Sequence, residues 1–193
     1  MKSILFNEKM LRAVISGKKT QTRRVSHIQP PDGRENWTYG LNIGVRGKND
    51  GKINYLIVEN KIMVKESDDR YFSPKYKEGE TIYIKEPYAI TETARLLIYQ
   101  HEIDPCERDF YKWKSPLFMP ESFARIFLKI KNVRLERLQK MKIPPFLFDC
   151  LKEGFNSQAM FIETWDEISK TGYKWRDNPF VFVYDFERVE RPK

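Results

Sequence analysis

Apolar positions along the chain recur with two different periods, and together these predict a mixture of strands and short helices. Ser3 to Phe6 is a short apolar run that fits a buried strand. Behind it Asn7 is placed to cap a helix whose apolar positions, Met10, Leu11, Val14 and Ile15, follow helical spacing, and Gly17 is placed to end it in the left-handed conformation. An extended segment rich in Thr follows, reaching Val25. The run SGKKTQTRR, residues 16–24, therefore falls on a helix-to-strand junction.

Further along, Ser26 to Lys52 reads as loop, with two prolines and five glycines, and Ile53–Val58 and Lys61–Val64 read as a hairpin around Glu59 and Asn60. Lys77, Glu78 and Gly79 turn the chain into TIYIKEPYA, where alternation sets Ile82 and Ile84 on one face and Tyr83 and Lys85 on the other. Pro87 closes that strand or marks an edge. Leu96–Tyr99 is a further strand candidate, Asp104–Lys114 is irregular and charged, and Arg125–Arg134 alternates as a long strand. Phe146–Lys152 behind Pro144 and Pro145 reads as a helix stopped by Gly154, Gln158–Ser169 reads as another, and FVFVYDFERV from Phe180 returns as a strand. No repeat, heptad seam or low-complexity segment interrupts this order.

Strands broken by short helices without regular alternation predict an α+β domain around a curved or closed, mostly antiparallel sheet, and disfavour a doubly wound parallel one. The length of 193 residues suits a single domain, with a loop and hairpin insertion over about 26–78. An aromatic share of 14% agrees with a strand-rich core.

Charge changes the picture more than composition does. With 35 Lys and Arg against 27 Asp and Glu, the formal charge is +8, which favours a polyanionic partner, nucleic acid first, or serves solubility alone. Cys106 and Cys150 make neither a disulfide framework nor a metal spacing, and His27 and His101 stand far from any second ligand, so a reducing cytoplasm and no metal are expected. The apolar stretch in MKSILFNEKM is too short for a signal peptide, and no run approaches a membrane span. Walker loop, dinucleotide fingerprint, nucleophile elbow and zinc-protease helix are all missing, which argues against ATP, nicotinamide and zinc chemistry.

In SGKKTQTRR four cations, Lys18, Lys19, Arg23 and Arg24, surround Thr20, Gln21 and Thr22. The run is either a site or a solvated face. Lys19 and Thr22 are three apart and would point to opposite faces of a flat strand, so a shared site needs a bend, which the Gly17 junction is placed to supply. Neighbouring cations would lower the proton affinity of Lys19 and let its amine activate the Thr22 hydroxyl, or the cations would only hold phosphate. Lys85 and Glu86 at a strand end would orient a polar ligand or form a surface ion pair. Trp113, between Lys112 and Lys114, would stack an unpaired base or belong to the core. Glu153 in LKEG sits at the negative end of a helix dipole, an awkward place unless a cation or a function compensates.

Taken in order, ILFNEKMLRAVISGKKTQTRR, EGETIYIKEPYA, WKSPLFMPESFARIFLKI, LKEG and VFVYDFERV resemble an ASCH domain protein of the bacteriophage type. The resemblance implies a PUA-like fold, a small β-barrel with flanking short helices, and a signature of Gly, any, Lys, two any, Glu, any, Arg that Gly17, Lys19 and Arg24 fill. Thr22 replaces the acidic position, as in the smaller bacterial ASCH enzymes that hydrolyse the amide of N4-acetylcytidine. That likeness implies Lys19, Thr22 and Glu153 as the working set, with Thr22 as nucleophile or water-positioning hydroxyl, Lys19 as base and Glu153 orienting the lysine.

It also implies a cleft lined by the cationic strand, by Lys85 and Glu86, and by Trp113, Lys114 and Arg125, and partners that are RNA or single modified nucleosides. No cofactor is expected. Three readings follow: an RNA- or nucleotide-binding module in which Arg23 and Arg24 meet phosphate, an amidohydrolase acting on an acylated nucleobase, and a phage morphogenesis or host-interaction protein with a vestigial cleft, working in the host cytoplasm. The insertion over 26–52 is expected to cover the mouth of the cleft.

Overall fold

The computed structural model describes residues 1–26, 29, 54–58, 61–65, 71–72, 74–142 and 146–192. In chain order the elements are β1 (Lys2–Leu5), α1 (Glu8–Ile15), β2 (Gln21–Val25), β3 (Asn54–Val58), β4 (Lys61–Lys65), β5 (Tyr71–Phe72), β6 (Thr81–Lys85), β7 (Tyr88–Ile90) and β8 (Leu97–Tyr99), then β9 (Phe127–Arg137), α2 (Phe146–Lys152), α3 (Gln158–Ile168) and β10 (Phe180–Val189). Local chemistry explains several boundaries. Asn7 Oδ1 accepts from Met10 N at 2.8 Å and starts α1, and Gly17, at φ +73°, lets the chain leave it.

The main sheet has the order β1-β6-β9-β10-β2, with β1 parallel to β6 and the other three ladders antiparallel. A closed, mostly antiparallel barrel was expected, and the strand order overturns the closure, while three of the four ladders are antiparallel and the α+β class stands. The sheet is mixed and open, and β1 and β2 are its two outer strands. Among the described residues no ladder joins those edges; instead the Arg24 guanidinium donates to the Leu5 carbonyl across the opening, 2.7 Å away. Alternation along a strand reports which face is buried and carries no information about which edges pair, so the closure was not legible.

The sheet is buried on both faces. One face carries Ile4, Ile82, Ile84, Leu128, Phe182 and Tyr184 under Leu11 and Val14 of α1. Alternate residues of β10, Val181 and Val183, point the other way and pack with Phe155, Phe161 and Trp165 around α3. A third cluster joins Tyr83 and Phe127 to Tyr88 and Tyr99, where β7 and β8 form a two-stranded ladder. β7 escaped the sequence reading because it is three residues long and follows Pro87 directly. The long strand starts at Phe127 rather than Arg125, and Asp104 caps a 3₁₀ turn, Pro105–Phe110, inside the charged stretch Asp104–Lys114.

The expected hairpin is present as β3 and β4, extended by β5 into a three-stranded sheet. Apart from Ser26 and Gln29 the glycine-rich and proline-rich loop, and with it any cover over a cleft, lies outside the described residues. No helix among the described residues is long and apolar enough to cross a membrane.

Candidate functional site

The free edge of β2 is where the charged groups of the motif gather. Lys19 lies in the turn before β2, its backbone N–H donating to Ala13 O at 2.9 Å, so it is released from the alternation that governs the strand. Cross-strand register sets Thr22 and Arg24 opposite Tyr184 and Phe182, on the face covered by α1, and Arg23 opposite Val183, on the face covered by α3. Lys19 Nζ and Arg24 Cζ both lie over the Phe6 ring, at 5.6 and 5.3 Å from its centroid. The bend after Gly17 thus carries the Lys19 amine to the side of the sheet that bears Thr22 and Arg24.

Glu153 reaches around that edge. The chain leaves α2 at Lys152, whose carbonyl accepts from Thr20 N at 2.8 Å, and Gly154 follows at φ +85° with its Cα against Ala13 and Lys19. Glu153 Oε2 accepts from Lys19 Nζ at 2.7 Å and Oε1 from Arg23 Nη1 at 3.0 Å. Lys19 Nζ also donates to the Glu153 carbonyl at 2.8 Å, satisfying a backbone oxygen at the helix end. The expected compensation for a carboxylate in that position is therefore a cation, and it is Lys19.

Arg23 Nη1 donates in addition to Gln21 Oε1 at 2.7 Å and Nη2 to Asp149 Oδ2 at 2.9 Å. Gln21 in turn donates to Asp185 Oδ1 at 2.6 Å. Lys19 and Arg23 against Glu153 and Asp149 make a neutral group of four, which permits burial of charges that would otherwise be prohibitive. Lys19 is 2% and Glu153 3% exposed, so water screens their attraction little.

The Lys19 amine is pushed below its ordinary value, first by burial, while Glu153 acts in the opposite direction and Arg24 and Arg23 add smaller downward contributions. The direction matches the sequence reading, but the leading cause is desolvation rather than neighbouring cations. Burial also lowers Arg24, which is half-buried.

Beside this group opens a cavity of about 390 Å³. Its lining includes the polar residues Thr22, Arg23, Arg24 and Glu153 and the apolar Phe161 and Trp165. Lys19 is not among the lining residues and is bonded to one that is, Glu153. A mostly apolar hollow with a few convergent polar groups has the form of a small-molecule site.

The remaining expected residues fall elsewhere. Arg23 is 3% exposed and ion-paired, so it is not placed to meet a phosphate from solvent, whereas Lys18 is exposed. Glu86, fully buried, is gripped by Arg125 through Nε at 3.1 Å and Nη2 at 3.0 Å, with His101 Nδ1 at 3.0 Å. Arg125 also lies 3.6 Å over the Tyr99 ring. Lys85 Nζ donates to Leu117 O at 2.7 Å, the Trp113 indole donates to Arg108 O at 2.8 Å, and Lys114 Nζ sits 5.9 Å over Tyr88. None of these residues lines the cavity at β2.

Sequence reasoning missed Asp149, Gln21 and the aromatic walls. Asp149 and Glu153 are four apart, one helical turn, a spacing that signals a shared partner. Gln21 and Arg23 are two apart on one strand, which puts them on one face. Phe161 and Trp165 carry no such signal, since their spacing is that of any buried helix stripe.

No protein-family model, no curated protein and no solved structure matches the chain.

Proposed function

We propose that the protein binds RNA or a nucleotide by seating one base in the cavity at the free edge of β2, in the manner its resemblance to ASCH domain proteins implies. The observation that carries this reading is the cavity itself, whose lining includes the aromatic Phe161 and Trp165 together with the polar Thr22, Arg23, Arg24 and Glu153. Aromatic faces stack any base, and a polar end fixes its orientation. The net charge of +8 draws the attached phosphates toward the surface.

Equilibrium binding of cytidine and of a short single-stranded RNA tests it. Both bind at about 50 mM salt, and the RNA loses affinity steeply by about 200 mM because phosphate contacts release counterions. Absence of binding for both ligands at the lower salt removes the proposal.

A second reading, an amidohydrolase, is favoured by the 2.7 Å contact of Lys19 with Glu153 on the side of the sheet that bears Thr22. In it the Thr22 hydroxyl attacks the acetyl carbonyl of N4-acetylcytidine as Lys19, in its neutral form, takes the hydroxyl proton. The C–N bond breaks, that proton passes to the leaving N4, and water releases acetate from Thr22, leaving cytidine. Turnover of N4-acetylcytidine by wild type, lost in Thr22→Val and in Lys19→Ala, supports it. Equal turnover in all three proteins, or none in wild type, excludes it.

A further inference from the structure

Large apolar side chains scattered singly over a surface are ordinary, but Leu117 and Phe118 are neighbours, 61% and 78% exposed, on a turn whose backbone is firmly held. The 3₁₀ turn Pro116–Phe118 is capped by Ser115, whose hydroxyl accepts from Leu117 N at 3.3 Å. Bonds of 3.1 Å from Phe118 N to Ser115 O and from Met119 N to Pro116 O close it. Lys85 Nζ donates to Leu117 O at 2.7 Å. Met119, 1% exposed, anchors the turn in the core, and its sulfur accepts from Glu86 N at 3.1 Å. The two exposed side chains are therefore displayed by a fixed frame, and covering them costs little further ordering of the chain.

We propose that this turn is a stacking platform for an unpaired base of single-stranded RNA, with Phe118 against the base and Lys114 against an adjoining phosphate. This deepens the RNA reading and rests on it. Two features favour that occupant. Lys114 is exposed and bonded through its main chain to Tyr88, and its Nζ lies 5.9 Å over the Tyr88 ring. The contacts of Lys85 and Lys114, to a carbonyl and to a ring face, cancel neither charge, so an exposed aromatic is flanked by cations, the composition of single-strand sites. The platform is also linked to the cavity: Leu117 O meets Lys85, Lys85 lies opposite Leu5 in the β1–β6 ladder, and Leu5 O meets Arg24, which lines the cavity. Neighbouring strands are about 4.8 Å apart, so a short oligonucleotide with one base in the cavity has another within reach of Phe118.

The test is equilibrium binding of cytidine and of oligocytidylate of about six nucleotides, within the usual range of single-strand site sizes. Both are titrated into the full-length wild type, Phe118→Ala, Phe118→Trp and Lys114→Gln at about 50 mM salt. Phe118→Ala is expected to weaken the oligomer about tenfold, the effect of one lost stacking contact, and to leave cytidine affinity unchanged. Phe118→Trp is expected to keep the oligomer affinity and to show altered indole emission on binding. Lys114→Gln is expected to reduce the slope of log affinity against log salt by about 0.7, the loss of one phosphate contact.

Equal oligomer affinity for wild type and Phe118→Ala, or equal losses in Phe118→Ala and Phe118→Trp, overturns the inference while leaving the cavity reading intact. Oligomer binding that depends on Phe118 while cytidine does not bind supports the platform and removes the seat in the cavity. An oligomer that does not bind overturns the inference as well, and Phe118-dependent binding of an acidic peptide carrying Leu and Phe would then mark the turn as a surface for a protein.

Discussion

The ammonium of Lys19 and the carboxylate of Glu153 lie 2.7 Å apart although 134 positions separate them in the chain. The contact ties the turn after α1 to the end of α2, and a second bond from the same amine to the Glu153 carbonyl makes the tie bidentate. Removing Glu153 leaves the buried Lys19 charge without its carboxylate, and removing Lys19 leaves buried Glu153 with Arg23 as its remaining cation. Lys19→Met and Glu153→Gln are each expected to destabilise the fold by about 3 to 5 kcal/mol. The double variant is expected to lose clearly less than the sum, as residues in one ion-pair network do. Denaturant unfolding of the four proteins measures the coupling, and strictly additive losses would mean that the pair does not act as a unit.

Gly154 meets two constraints at once. Its φ is +85°, and a Cβ built there would lie 2.9 Å from Ala13 Cβ and 3.2 Å from Lys19 Cβ. Gly154→Ala is expected to cost about 2 to 5 kcal/mol, from left-handed strain of about 1 to 2 and overpacking of about 1 to 3. Gly172 has almost the same φ, +86°, and open space around it, so Gly172→Ala carries the strain alone, about 1 to 2 kcal/mol. Equal losses for the two variants in thermal unfolding would remove the packing argument.

His101 supplies a pH dependence. Its Nδ1 lies 3.0 Å from Glu86, Arg125 Nη2 lies 3.1 Å from its Nε2, and Arg12 Nη2 donates to its carbonyl at 3.2 Å. Burial first, with Arg125 and Arg12 adding, pushes the imidazole below its ordinary 6.5 against the opposing pull of Glu86 and Glu102. The unfolded chain therefore takes up the proton more readily than the folded one. Stability is fully present above pH 6.5 and declines as the pH falls below it, until the folded imidazole is protonated as well. His101→Gln should flatten that decline in unfolding curves taken between pH 7 and pH 5, values that bracket the ordinary histidine range at about 6.5. An unchanged slope would assign the decline to other groups.

Ile168 separates occupancy of the cavity from folding. It lines the cavity from the end of α3 while remaining 52% exposed. Ile168→Trp fills part of the space with a large ring at a surface position, where stability changes by about 0.5 kcal/mol or less. Cytidine affinity is expected to fall by about tenfold or more, equivalent to about 1.4 kcal/mol. Unchanged affinity in a titration followed by tryptophan fluorescence would place the ligand elsewhere.

Much of the local structure was legible in particular residues. Asn7 and Gly17 bracket α1 as a cap and a left-handed stop, the alternation of Ile82 and Ile84 with Tyr83 matches two separate core clusters, and Gly154 ends the α2 region. The bend that frees Lys19 from strand alternation was legible from Gly17 as well. These features depend on backbone preferences and on periodicity, which act within a few residues of one another.

What residue order alone determined is most of the elements, the position of the cationic run at a helix-to-strand junction, and the presence of an amine and a hydroxyl in one short segment. Tertiary structure decided the rest: that the sheet stays open with Arg24 spanning Leu5, that Glu153 wraps the edge of β2 to take both Lys19 and Arg23, and that Arg23 is buried instead of displayed. The reason is physical. A charge has no fixed meaning until its surroundings set how much water it keeps and which opposite charge it meets, and both depend on segments more than a hundred residues away.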